Sequence, residues 1–286
     1  MICSAPKAVT LLAAALLLGL AGLAPAHAQT GNLYLTDDQG FGYVVQGGNL
    51  VNTFTLVNGS ETVIAVAGDI RTTGPSDNFF GPTIFGGTQG AQYNLSGTPT
   101  GNLFSRDIGG IMADGTTDGQ YNYGVSFIDD SGLGAVYRYD RNWTNGVQLF
   151  DTGFGAEDEL GITYDASNNS LWTSGNDGFV RDWTLGGAEI GSFVPSDGAV
   201  FALALDSADG TLWLSTGVTG ELSQYSKTGT LLQTETIAGL APGGQFLGGE
   251  FAETPSAVTP EGSSLLMLGL GLLPLGYGLR KKLKKA

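Results

Sequence analysis

The sequence predicts an all-β chain of about five four-stranded repeats closed into a ring, on three observations. Gly161-Ile-Thr-Tyr-Asp165, a polar turn and Leu171-Trp172-Thr173 recur 41 residues later as Ala202-Leu-Ala-Leu-Asp206, a turn and Leu212-Trp213-Leu214. Aromatic residues ahead of glycine turns stand at Tyr93, Tyr139, Trp183 and Tyr225, in steps of 46, 44 and 42. The chain carries 47 glycines in 286 residues, and its short alternating segments argue against helices. Periods of 40 to 50 residues with four short strands each are the mark of β-propeller blades.

Taken in order, the innermost strands are expected at Thr62 to Val66, Ile108 to Met112, Glu159 to Tyr164, Val200 to Leu205 and Gln245 to Phe251. The last has no followers, whereas Leu33 to Leu35, Gly42 to Val45 and Leu50 to Leu56 have no leader. Joining them builds one blade from both chain ends and removes an exposed sheet edge. A β-sandwich is the rival, kept open by the weak repeat match over residues 74 to 120. Trp172 and Trp213 repeat at equivalent strand positions and are expected in the core, while Trp143, beside Arg141 and Asn142 at a turn, is expected to be exposed. Across residues 31 to 253 this grammar resembles the NHL, WD40 and YVTN-type β-propellers, without a G-H...W-D pair.

The two ends read as addresses. Lys7, the apolar run Ala8 to Leu23 and Ala26-His27-Ala28 form a secretory signal peptide over residues 1–28, cut between Ala28 and Gln29. The ectodomain is expected at 29–256 and a tail at 257–286. In the tail, Thr259-Pro260-Glu261-Gly262 is followed by an apolar helix over 263–279 and a basic end over 280–285, Arg280, Lys281, Lys282, Lys284 and Lys285. Seventeen helical residues reach roughly 25 Å, enough to cross a thin hydrocarbon core with the basic end on the cytoplasmic side. This order resembles the PEP-CTERM sorting signal, with Gly262 where a second proline is usual. The resemblance implies a Gram-negative bacterium, Sec export, transient anchoring in the inner membrane, processing by an exosortase, and a final place in the envelope or outside the cell. It also implies a link to exopolysaccharide.

Cleavage after Ala28 removes Cys3 and His27, the only cysteine and histidine. Ser-His-Asp and Cys-His nucleophiles, Cys/His zinc sites and disulfides are thereby excluded from the mature chain. Residues 29–260 hold 26 acidic against six basic side chains, a formal −20. Nucleic acid and anionic membrane surfaces repel such a region, while cations or neutral and cation-bridged glycans are compatible with it.

Three functional readings follow: a non-catalytic interaction module with no resident cofactor, a carboxylate-dependent carbohydrate enzyme with two acids roughly 5 to 9 Å apart near the channel, and a Ca²⁺ or small-ligand sensor. For the last, turns between second and third strands bring Asp37, Asp38, Asp129, Asp130 and Asp177 to one rim, joined by Glu157, Asp158, Glu159 and Asp197 from the inter-blade connections. Carboxylate oxygens suit Ca²⁺. Asp is equally a turn former that bonds its own backbone.

Overall fold

The computed structural model describes residues 31–59, 61–75, 87–128, 133–155, 159–196, 198, 201–215, 220–240 and 244–252. The signal peptide, Asp129, Asp130, Glu157, Asp158, Asp197 and the sorting tail lie outside these residues. Among the described residues, twenty strands form five four-stranded antiparallel sheets, the blades of a propeller.

Blade 1 is assembled from both ends: β20 (Phe246–Phe251) is innermost, followed by β1 (Asn32–Asp37), β2 (Phe41–Gln46) and β3 (Asn49–Thr55). Leu33 lies opposite Phe251 and Asp37 opposite Phe246, and the Ala252 amide donates to Asn32 O at 3.0 Å. Blade 2 comprises β4 (Val63–Val66), β5 (Ile70–Thr73), β6 (Gln89–Tyr93) and β7 (Pro99–Ser105). Blade 3 comprises β8 (Ile111–Thr117), β9 (Tyr121–Ile128), β10 (Leu133–Asp140) and β11 (Val147–Gly155). Blade 4 comprises β12 (Gly161–Asp165), β13 (Ser170–Ser174), β14 (Val180–Thr184) and β15 (Glu189–Phe193). Blade 5 comprises β16 (Leu203–Asp206), β17 (Thr211–Ser215), β18 (Glu221–Ser226) and β19 (Leu231–Thr236). The sandwich rival is thus set aside, and closure by both ends is as expected.

Three innermost strands begin two or three residues later than the sequence pattern places them: β8 at Ile111, β12 at Gly161 and β16 at Leu203. Before β8 the reason is local. Gly109 and Gly110 have positive φ, at 107° and 58°, and Arg106 holds the carbonyls around them, so the chain extends only beyond that bend.

The aromatic markers occupy the third strand of blades 2 to 5, where they hold neighbouring blades together. Tyr93 packs on Phe54 of the preceding blade with centroids 5.4 Å apart, Trp183 on Phe150 at 5.7 Å, and Tyr225 on Phe193 at 5.8 Å. Each Phe also covers a positive-φ glycine in the following blade's outer turn: Gly97, Gly187 and Gly229. Those turns share one bonding pattern, for example Thr184 N to Ala188 O and Gly187 N to Thr184 O.

Blade 3 departs at this position. Its turn has the same two bonds, Asp140 N to Thr144 O and Trp143 N to Asp140 O, but Trp143 takes the glycine's place at φ 59°. Far from being exposed, Trp143 is fully buried. It packs at a tilt against Tyr139 with ring centroids 5.5 Å apart, donates from Nε1 to Arg71 O of blade 2 at 3.3 Å, and shares a core cluster with Val63, Ala65 and Met112. Gly115 makes room for it, since a Cβ there would lie 2.6 Å from the indole. The cost of a left-handed backbone, roughly 1–2 kcal/mol, is offset by burial of the largest side chain available. Trp172 and Trp213 lie in the core as expected.

Candidate functional site: the central bore

In a propeller, the innermost strands leave one edge unpaired, and their amides and carbonyls face the bore. Buried groups of this kind must find partners. Here many of them meet side chains of neighbouring blades. The Thr116 hydroxyl accepts the Tyr164 amide at 2.9 Å, the Thr163 hydroxyl accepts that of Leu205 at 3.0 Å, and the Thr36 hydroxyl donates to Thr62 O.

The centre of the set is Asp114 on β8, a residue that the sequence pattern did not single out. Its Oδ1 accepts the amides of Gly115 at 2.8 Å and Gly249 at 3.0 Å. Its Oδ2 accepts those of Ile162 at 3.2 Å and Leu203 at 3.1 Å. One fully buried carboxylate therefore bonds blades 1, 3, 4 and 5. Burial pushes its pKa well above the ordinary carboxylate range, against the pull of the four amides toward the ionised form. Weak strand propensity of Asp and Gly hides this stretch of β8 from pattern reading. Asp114 amid Gly115 and Thr116 was the available signal.

One step outward lies a recess. Thr62, Pro75, Ile111, Met112, Ala113, Phe127, Leu160, Phe201 and Leu247 line a pocket of about 140 Å³, with a wall of apolar atoms. Met112, Leu160, Phe201 and Leu247 stand two residues before Asp114, Ile162, Leu203 and Gly249, so the recess adjoins the carboxylate layer, with β8 bulged between Met112 and Gly115. All five blades contribute to it. Arg106 buttresses one wall: Nη1 donates to Ile108 O at 2.7 Å, and Nη2 to Gly74 O, Pro75 O and Gly110 O at 3.3, 3.2 and 3.0 Å.

Of the acids expected on one rim, Asp37, Asp38, Glu159 and Asp177 lie among the described residues. Asp37 is buried, and its Oδ1 accepts the Gln39 and Phe41 amides while Oδ2 takes the Tyr43 hydroxyl at 2.6 Å. Asp38 is exposed and accepts the Gln245 amide at 3.0 Å. Asp177 accepts the Phe179 amide and pairs with Arg181, whose guanidinium lies over the Phe154 ring at 3.7 Å. Glu159 faces the interior beside Gly134 and Thr152 instead of the rim. Burial raises its pKa to about 7, only partly opposed by the Thr173 hydroxyl and the Arg181 charge. Among the described residues no group of three or more His, Cys, Asp and Glu side chains is placed to hold a metal ion. Nor is any helix among them long and apolar enough to cross a membrane; residues 263–279 lie outside this set.

No protein-family model matches the chain, and no curated protein matches it. Among solved structures, it is similar to a chain in a crystal structure of a nidogen/laminin complex, at 11% identity and TM-score 0.52, over 77% of this chain and 98% of that one. A WD40 β-propeller domain of Doa1 aligns at 13% identity and TM-score 0.41, over 71% of this chain and 64% of that one. The first likeness concerns the fold, which is that of a β-propeller.

Proposed function

We propose that the protein is a non-catalytic interaction module, exported through the Sec route, sorted by its PEP-CTERM-like tail through an exosortase, and engaged with exopolysaccharide at the surface or in the matrix of a Gram-negative cell. The observation that carries the non-catalytic part is the bore. Its central carboxylate, Asp114, is engaged by four backbone amides and lies beside an apolar recess, an arrangement suited to holding blades together and poorly suited to proton transfer with a sugar. The propeller scaffold supports an interaction role without specifying one. Export and sorting rest on Ala26-His27-Ala28, Pro260-Glu261 and the basic end 280–285.

Co-sedimentation of the protein with exopolysaccharide from the producing organism, in Ca²⁺ and in chelator, tests the reading. Saturable binding is expected; loss on chelation would assign the contact to surface carboxylates such as Asp38. Absence of binding in both conditions would overturn the glycan assignment. Neutralising residues 280–285 is expected to cause missorting, and unchanged processing of that variant would overturn the sorting assignment.

A further inference from the structure

We propose that the bore mouth is a binding site for one small apolar molecule of benzene size. The inference is independent of the glycan reading, because a wall without exposed polar atoms offers a sugar no partner for its hydroxyls.

Three observations converge on it. First, the size is selective: about 140 Å³ falls below the 300–1,000 Å³ of ordinary ligand pockets. It is close to the roughly 150 Å³ of an engineered apolar cavity that takes up benzene. Second, the site is built. Its lining comes from all five blades: Ile111, Met112, Ala113 and Leu247 on innermost strands, Phe127 on β9, and Thr62, Pro75, Leu160 and Phe201 beside strand ends. Third, its walls are fixed from behind. Asp114 pins Gly115, Ile162, Leu203 and Gly249, close in sequence to Met112, Leu160, Phe201 and Leu247. Arg106 and the 2.7 Å bond from Met112 N to Pro75 O hold the Pro75 and Ile111 side. A preformed recess loses little entropy on binding, which is what a ligand with so few atoms requires.

Met112 supplies the test. The chain has three methionines, Met1, Met112 and Met267, and Met112 alone lines the pocket. With methyl-¹³C methionine in the full chain, solubilised in detergent, benzene is expected to shift the Met112 methyl signal saturably, while any response of Met267 reports partition into the micelle. Ala113→Phe, which fills the recess from blade 3, is expected to weaken that binding at least tenfold with the melting temperature largely kept. Leu247→Phe does the same from blade 1 should the first variant fold poorly. A Met112 response that never saturates, one that persists in both filled variants, or a saturable response to glucose in place of benzene would each overturn the assignment.

Discussion

The amide of Gly249 donates to Asp114 Oδ1 at 3.0 Å across 135 residues of chain, joining the last strand of the ring to the innermost strand of blade 3. This bond ties the noncovalent closure of blade 1 to the bore, so the ring is locked at its rim by strand pairing and at its centre by one side chain. Asp114→Asn keeps the volume but turns an NH₂ toward amides that need acceptors. A loss of about 3 kcal/mol is expected, from two buried amides left without an acceptor. Urea denaturation checks it; an unchanged midpoint would remove Asp114 from its central place.

Glu159 predicts a pH dependence of opposite sign to the usual carboxylate. Its folded pKa, about 7, lies above the ordinary glutamate value of 4.5, so the folded state binds more protons. Its contribution is fully present below about pH 4.5 and is lost as pH rises toward 7. Glu159→Gln is therefore expected to be more stable than wild type at pH 8, by up to about 3 kcal/mol, with the difference shrinking at pH 5. Parallel thermal melts at the two pH values measure it.

Asp69 behaves the other way. Burial works to raise its pKa, but bonds from Arg71 and Gln92 and the charges of Arg71 and Arg141 outweigh this and hold it below the ordinary value. The stability it contributes is present at neutral pH and is lost as pH falls through its depressed pKa. With Asp69→Asn, acid unfolding is expected to begin from a lower starting stability and to show a shallower slope below pH 4. A slope equal to wild type would contradict the pairing.

Trp143→Gly tests the swap in the blade 3 turn. Glycine relieves the left-handed strain, roughly 1–2 kcal/mol, but vacates a fully buried indole worth about 3–5 kcal/mol. Net destabilisation of about 2 kcal/mol is expected, measurable by thermal unfolding. Conversely, Gly187→Trp in blade 4 is expected to disrupt the fold, because Phe150 already covers that position.

The repeat was legible because the aromatic markers serve one task in successive blades: Tyr93, Trp183 and Tyr225 each meet a Phe of the blade before. Closure by both ends was legible from strand arithmetic, three strands without a leader and one without followers. The start of β8 was not, because Met-Ala-Asp-Gly-Thr-Thr alternates poorly and its Asp serves the bore and not a surface. Trp143 misled for a related reason. A turn position signals exposure only when the turn points outward, and this one folds between blades. The burial of Asp37 and Glu159 was not legible, because spacing does not encode which way a turn carboxylate faces.

Arg106 and Asp114 share one property with consequences for how this chain can vary. Among the described residues, the Arg106 guanidinium donates to the main-chain carbonyls of Ile108, Gly74, Pro75 and Gly110, and the Asp114 carboxylate accepts from main-chain amides. A peptide group is present whatever side chain a position carries. Proline, which lacks the amide hydrogen, is the one exception at Gly115, Ile162, Leu203 and Gly249. Two residues thus hold the ring's centre without requiring matched substitutions elsewhere, which leaves the outer strands and loops at liberty to diverge around an unchanged hub.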